Sequence, residues 1–334
     1  MEADARLFRR GGAGLIAMSQ LIKPNFLIVG AARSGTTSLF DWLRGHPQIF
    51  MPAWKEPSYF VDGYGLSDWD KYLTLFAPGR GKKAIGEASA AYLAAPESPP
   101  WIQRELGTPR IIMILRDPVR RAMSLYAWMT MEGYEPAPSF EAALDAEPLR
   151  MADPAFARNC PQYFWDYCYF HSGLYAEQVE RHLDTFGRGS VRIYLFEDLV
   201  EKPGEVLKDV CGFLDVDTNY TTRMRPSNRS RIPRLPKVQR SLRRELMRSH
   251  HLPHYPGLAA RRCVAAAMAL NRWLGRRPVM PREIVQNLRA AYSADVKRLQ
   301  ALIGRELSSW LPTPADDAAV PEISEARPSP ADTG

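Results

Sequence analysis

The sequence predicts an α/β fold: a doubly wound, mostly parallel sheet flanked by helices, with a helical C-terminal extension. Apolar runs near 26–29, 111–115 and 191–196 alternate with helical stretches near 36–44, 118–131, 173–186 and 203–214, the rhythm of parallel βαβ units. Two of these runs break into a turn that flows straight into a helix, and in an open parallel sheet such junctions form the ligand-facing edge. The 334 residues, 46% hydrophobic and 24% charged, suffice for one sizeable core.

The first junction spans residues 25–38. Phe26 to Val29 read as a buried strand, Gly30 and Gly35 let backbone approach a ligand, and Thr36 to Arg44 read as a helix whose N-terminal amides face the loop. Ala32, Arg33, Ser34, Gly35, Thr36, Thr37 and Ser38 then form an anion cradle of the P-loop type. Thr36, however, stands where a triphosphate-binding loop places lysine, and Arg33 is the only cation within the loop. A triphosphate site uses lysine and magnesium to offset the charge of the β- and γ-phosphates. A donor ending in a singly charged sulfuryl group has less charge to neutralise. The plainer alternative is a tight strand-to-helix connection.

The second junction runs from Arg110 to Ser124. Ile111 to Leu115 suit a central strand, Asp117 suits the cap of the next helix and Pro118 its first turn. Arg116 then sits at the strand's carboxyl end. Ser124, about two turns into the helix, points to the same side, so the pair reads as a second phosphate site. An ion pair of Arg116 with Asp117 is the competing reading.

With these two anion sites the chain resembles the sulfotransferase family that uses 3′-phosphoadenosine 5′-phosphosulfate, and within it the glycan-modifying branch of heparan sulfate N- and 3-O-sulfotransferases. Asp41-Trp-Leu-Arg-Gly-His-Pro47, Lys55-Glu-Pro-Ser-Tyr-Phe60, Gly86-Glu-Ala-Ser-Ala-Ala-Tyr-Leu93, Ser172-Gly-Leu-Tyr175 and Leu195-Phe-Glu-Asp-Leu199 carry the resemblance further. It runs from about Lys23 to Leu214 and more loosely to Trp310. It implies that the 30–38 loop holds the donor's 5′-phosphosulfate, that Arg116 and Ser124 hold its 3′-phosphate, and that no metal is required.

A sugar hydroxyl or protonated amine is a poor nucleophile until a base takes its proton. By resemblance that base is Glu56; a surface pair with Lys55 is the plainer alternative. His46 is the rival base, but Arg44-Gly-His-Pro47 reads as a helix terminus. Ala88 stands where several related enzymes carry a lysine. Leaving-group stabilisation therefore leans on Arg33, the loop amides and the helix dipole, with Lys55 as a supplement. Ser89 and Tyr92 are candidate acceptor contacts, with core packing an equally good account of both. The family's usual clamp on the 3′-phosphate has no clear counterpart, and Arg229 or Arg231 is expected to substitute.

The expected organisation is an extension over 1–22, a sulfotransferase domain over 23–311 and a disordered tail over 312–334. From Arg223 to Arg277 there are fifteen Lys and Arg against one acid, Glu245. This 223–311 portion is expected as a basic helical lid or acceptor region that faces an anionic acceptor, the donor or a membrane surface, with solvated basic helices as the bland account. Its apolar stretch in residues 261–272 is too short to span a bilayer, which leaves a peripheral contact at most.

Cys160, Cys168, Cys211 and Cys263 lack metal-ligand spacing, so reduced thiols are the default. Cys160 and Cys168 lie among six aromatic residues between Tyr163 and Phe170, a core or a sugar-binding wall. The N-terminal apolar stretch is a poor signal peptide, which makes a bacterial cytoplasmic location the expectation. The expected partners are a glycan, glycolipid or small-molecule acceptor and no nucleic acid. A small-molecule kinase and a catalytically silent nucleotide-binding protein are the alternative functions.

Overall fold

A computed structural model describes residues 21–223, 231–248 and 258–312. The elements run β1 (Phe26–Gly30), α1 (Thr36–Arg44), β2 (Ile49–Phe50), α2 (Trp69–Thr74), β3 (Ala84–Ala88), α3 (Ala91–Ala94), α4 (Ser98–Leu106), β4 (Arg110–Leu115) and α5 (Pro118–Glu132). They continue with α6 (Phe140–Ala152), α7 (Pro154–Asn159), α8 (Tyr175–Phe186), β5 (Val191–Leu195), α9 (Phe196–Glu201), α10 (Pro203–Phe213), α11 (Pro236–Arg248), α12 (Leu258–Trp273) and α13 (Arg282–Ile303). The sheet order is β2-β3-β1-β4-β5 and every pairing is parallel. The chain leaves β1 toward β2 and β3 on one side, then crosses to β4 and β5 on the other. The topological switch therefore falls at β1, where an open α/β sheet binds its ligand.

Strand alternation splits the core into two layers. Leu27, Val29, Ile111, Met113 and Leu115 face a cluster built with α3, α4, α5, α8 and α13. Phe26, Ile28, Ile112 and Ile114 face the other side, where Leu39 and Leu43 of α1 and Val206, Leu207 and Val210 of α10 close over them. Burial on both faces explains why these strands read as continuous apolar runs.

Strand β3 was not among those runs, because Ala-Ile-Gly-Glu-Ala has little intrinsic strand preference. Pairing with β1 fixes it instead, with Phe26 opposite Gly86 and Leu27 opposite Glu87. A Cβ at Gly86 would lie 2.5 Å from both the ring and the carbonyl oxygen of Phe26.

The segment expected as a lid divides. Helix α13 is core rather than lid: Ile284, Val285, Leu288, Tyr292, Val296 and Leu299 are all buried in the layer with α5 and α8. Helix α11 rests on the carboxyl end of α5, where Gln239 Nε2 donates to the Met131 carbonyl (2.7 Å) and Arg243 pairs with Glu132. Arg272 of α12 reaches the same Glu132 at 3.1 Å. No described helix is long and apolar enough to cross a membrane. All four cysteines are unpaired thiols, and Tyr163, Tyr167 and Tyr169 pack in the core.

Gly86→Ala is expected to destabilise the protein by about 1–3 kcal/mol, since Phe26 is backbone-fixed and cannot yield. The midpoint of urea unfolding, at unchanged slope, measures this.

Candidate functional site

The loop after β1 is held by two backbone bonds. Ala31 N–H donates to the Ile114 carbonyl of β4 at 2.7 Å, and Ser34 N–H donates to the Ala31 carbonyl at 3.2 Å. Arg33 (φ 66°) and Gly35 (φ 94°) are both left-handed, with a residue of ordinary φ between them, the backbone alternation that makes an anion nest. Gly35 is also the N-cap of α1 and supplies no side-chain cap. The first amides of α1, at Thr36, Thr37 and Ser38, lie beyond reach of the helix's own carbonyls and sit at the positive end of its dipole. The Ser34 hydroxyl is fully buried and faces the buried Tyr175 side chain.

Two side chains from separate elements, Ser124 and Arg116, converge on this loop. Arg33 Nε donates to Ser124 Oγ of α5 at 3.4 Å. Arg116, at the end of β4, donates from Nη1 to the Arg33 carbonyl at 3.1 Å and lays its guanidinium over the Phe196 ring at 4.5 Å. Its Nε is buried without a partner. The alternative pairing of Arg116 with Asp117 does not form: Asp117 caps α5 through the amides of Val119 and Arg120 and pairs with Arg120 and Arg289. Burial first, and then the charge of Arg116, pulls the Arg33 guanidinium down to about 10. Burial likewise lowers Arg116. Both remain cations at neutral pH and repel one another, so the cradle is an electropositive pocket suited to an anion of more than one charge. Arg229 lies outside the described residues; Arg231 instead donates to the Trp273 carbonyl at 2.9 Å.

Glu56 is pinned on both oxygens. Lys55 Nζ lies 2.7 Å from Oε1, and the Ala90 amide donates to Oε2 at 2.8 Å. The side chains of Lys55 and Glu56 are 14% and 33% exposed, so the pair forms but does not lie on open surface. Ala90 shares a narrow cavity with Ala31 and Ala32 of the cradle, which brings Glu56 to the cradle's side of the sheet edge. His46 sits beyond the opposite end of α1. It is buried, with Nε2 2.9 Å from the Asp217 carbonyl and Nδ1 accepting from Gln48 N–H at 3.0 Å, and its ring meets Tyr220 edge-on. Helix α1 has nine residues and is about 13 Å long, which separates His46 from the cradle.

Ser89 and Tyr92 face inward, both fully buried, and Ala88 is buried at the end of β3. The Ser89 hydroxyl donates to Glu87 Oε2 and the Tyr92 hydroxyl to Oε1, each at 2.7 Å, with Tyr72 adding a longer bond at 3.3 Å. Ser58 N–H donates to Ser89 Oγ at 3.0 Å, so the same hydroxyl ties Glu87 to the segment carrying Glu56. Sequence reasoning missed Glu87, although an acid inside a strand buried on both faces is itself a signal that hydroxyl partners must exist.

Asp166 was also missed, inside an aromatic run read as packing. It lines the cavity that holds Ala31, Ala32 and Ala90, together with Arg121 and Trp165. Gln162 Nε2 donates to it at 3.3 Å, while Gln162 Oε1 accepts from Tyr64 at 2.9 Å. Burial first, and then the charge of Glu56, pushes Asp166 up to about 7.

Residues 23–254 match the sulfotransferase domain family. A crystal structure of a sulfotransferase from Alicyclobacillus acidocaldarius superposes with a TM-score of 0.66 at 30% identity, covering 87% of this chain and 99% of that one. The membrane-associated sulfotransferase kil1 of Dictyostelium discoideum is 25% identical over 281 residues, 62% of this chain and 59% of its own length. Heparan sulfate glucosamine 3-O-sulfotransferase 3B1 of Mus musculus is 26% identical over 288 residues, 85% of this chain and 64% of that protein. The alignments thus span about three fifths of the length of these two relatives.

Burial raises Glu87 from its ordinary 4.5 to about 7, against the lowering effect of its hydroxyl partners. The folded protein therefore binds this proton more tightly than the unfolded chain does. The resulting stabilisation is full below about pH 4.5 and is lost as pH rises to about 7. Glu87→Gln should flatten this group's share of the slope, about 3 kcal/mol over that window, in urea unfolding followed from pH 4.5 to 8. An unchanged slope would show that folding leaves the proton affinity of Glu87 unraised.

Proposed function

The chain belongs to the sulfotransferase family, and we propose that it moves a sulfuryl group from 3′-phosphoadenosine 5′-phosphosulfate to a hydroxyl or amine of a glycan, glycolipid or small-molecule acceptor. The observation that carries this reading is the convergence of Arg116 and Ser124 on the loop that carries Arg33 and whose left-handed residues form an anion nest. A buried Nε at Arg116 with no hydrogen-bond partner, beside the loop amides, fits a ligand carrying anionic oxygens. When bound, the donor supplies a sulfuryl group already activated by its phosphate leaving group.

The chain's own residues divide the remaining work. The amides of the 32–38 loop, the amino end of α1 and Arg33 stabilise the negative charge that grows on the leaving phosphate. Arg116 and Ser124 hold the 3′-phosphate, and Arg116 also braces the loop through the Arg33 carbonyl. Glu56 takes the acceptor's proton as the acceptor attacks in line. Its two hydrogen bonds, to Lys55 and the Ala90 amide, fix its orientation and leave each oxygen a lone pair for that proton. Glycan sulfation draws support from the 3-O-sulfotransferase relative, whose alignment covers 85% of this chain.

Calorimetry should show 3′-phosphoadenosine 5′-phosphate binding without magnesium, and adenosine 5′-phosphate binding about 10- to 100-fold more weakly, the worth of one or two charge-assisted bonds. In Arg116→Ala the gap should close. Equal affinity for the two nucleotides in the wild type would remove the two-site assignment, and a preference for a nucleoside triphosphate with magnesium would favour a kinase.

Glu56→Gln should keep donor affinity and lose about 10²- to 10⁴-fold in turnover under conditions where chemistry limits. His46→Asn should lower the unfolding midpoint while keeping most turnover, because His46 bonds only to backbone groups far from the cradle. The reverse pattern would hand the base role to His46.

A further inference from the structure

Nine large apolar side chains stand in solvent among the described residues, and six fall between 235 and 279: Leu235 (54% exposed), Val238 (44%), Leu270 (57%), Trp273 (71%), Leu274 (45%) and Val279 (84%). Scattered singly such residues mean nothing, but these are gathered by the fold. Leu235 exchanges two hydrogen bonds with the buried amide of Asn271, at 2.9 and 3.0 Å, and Ile232 bridges Arg276 antiparallel. With Asn271 turned inward against α11, its neighbours Leu270, Trp273 and Leu274 are left outward beside Leu235.

Helix α12 is unusual for its composition. Between residues 261 and 273 only Met268 and Asn271 are buried, although the stretch includes four alanines, a valine, a leucine and a tryptophan. A helix this apolar is ordinarily packed on most sides or laid against something else. The surrounding charge has one sign: Arg231, Arg234, Lys237, Arg244, Arg262, Arg276 and Arg277 are exposed. Glu245 is the only acid from 223 to 277.

We propose that this face docks on an anionic lipid bilayer, with α12 lying in the interface plane and Trp273, Leu270 and Leu274 entering the boundary between headgroups and acyl chains. The charge selects this occupant. A second copy related by two-fold symmetry would set identical basic rims against each other, whereas an anionic bilayer satisfies the apolar side chains and the basic rim together. Arg243 and Arg272 take no part, since both are committed to Glu132.

Cosedimentation of the full chain with vesicles tests this. The protein should pellet with phosphatidylcholine vesicles containing about 30 mol% phosphatidylserine, should not pellet with phosphatidylcholine alone, and should be released by high salt. Trp273→Ala combined with Leu270→Ser, and separately Arg234→Glu combined with Lys237→Glu, should each lower the bound fraction at least about tenfold. Because the altered side chains are exposed, the thermal midpoint and nucleotide affinity should stay unchanged. Failure of the wild type to bind anionic vesicles, or equal binding by wild type and both variants, overturns the proposal. So does a dimer in sedimentation velocity that the Trp273/Leu270 variant dissolves, which would assign the face to a second copy.

Discussion

The parallel register of β1 between β3 and β4 is the constraint on which the rest of this protein depends. Gly30, Ala88 and Leu115 close their strands at one edge of the sheet, and two backbone bonds carry the alignment past the strand ends: Ala31 to Ile114 and Ser89 to Ile28. From that edge the three following segments supply the cradle, the Ala90 amide that holds Glu56, and Arg116. A slip of one residue would turn every side chain of a strand to the opposite face. It would drive Glu87 into the layer under α1, away from Tyr72 and Tyr92, and carry Arg116 off the cradle.

Charge is sorted across that edge. On the side of the 32–38 loop two arginines crowd the backbone amides; burial lowers Arg33 and Arg116, while Asp166, Glu56 and Glu132 oppose that shift at Arg33, and Glu197 and Asp117 oppose it at Arg116. On the other side stand Glu56, Asp166 and, beneath them, Glu87. Burial and Glu56 raise Asp166, so the second carboxylate of the cleft exchanges its proton near neutral pH while Glu56 is gripped by Lys55 and an amide. The arrangement thus sets the arginine-rich loop apart from the carboxylates, the division of labour that the proposed transfer calls for.

Local signals were legible and distributed ones were not. The cradle, the Asp117 cap, Arg116 and Ser124 are each encoded within a strand-turn-helix stretch, and the structure places them where the spacing put them. Strand β3 was illegible because its pairing partner, rather than its own residues, makes it a strand. Ser89 and Tyr92 were read as candidate acceptor contacts, yet their hydroxyls belong to Glu87, whose third partner, Tyr72, comes from another helix. Helix α13 shows a clear 3.6-residue apolar period at Ile284, Leu288, Tyr292, Val296 and Leu299. The charge count of the preceding segment drew that region toward a lid reading, although periodicity is the better guide to burial.

The basic segment shows why counting charges does not assign them. Some of its arginines are structural: Arg243 and Arg272 converge from two helices on Glu132, and Arg240 caps the chain beyond α5 through the carbonyls of Glu135 and Pro136. Others stay exposed beside an apolar helix face. The structural set is anchored on α5, whose first half presents Ser124 to Arg33 and whose last residue, Glu132, holds α11 and α12. Glu132 also helps to hold the Arg33 guanidinium charged, the weakest of three acids that do so. One helix, α5, thus contacts the 32–38 loop through Ser124 and the helices of the exposed basic face through Glu132.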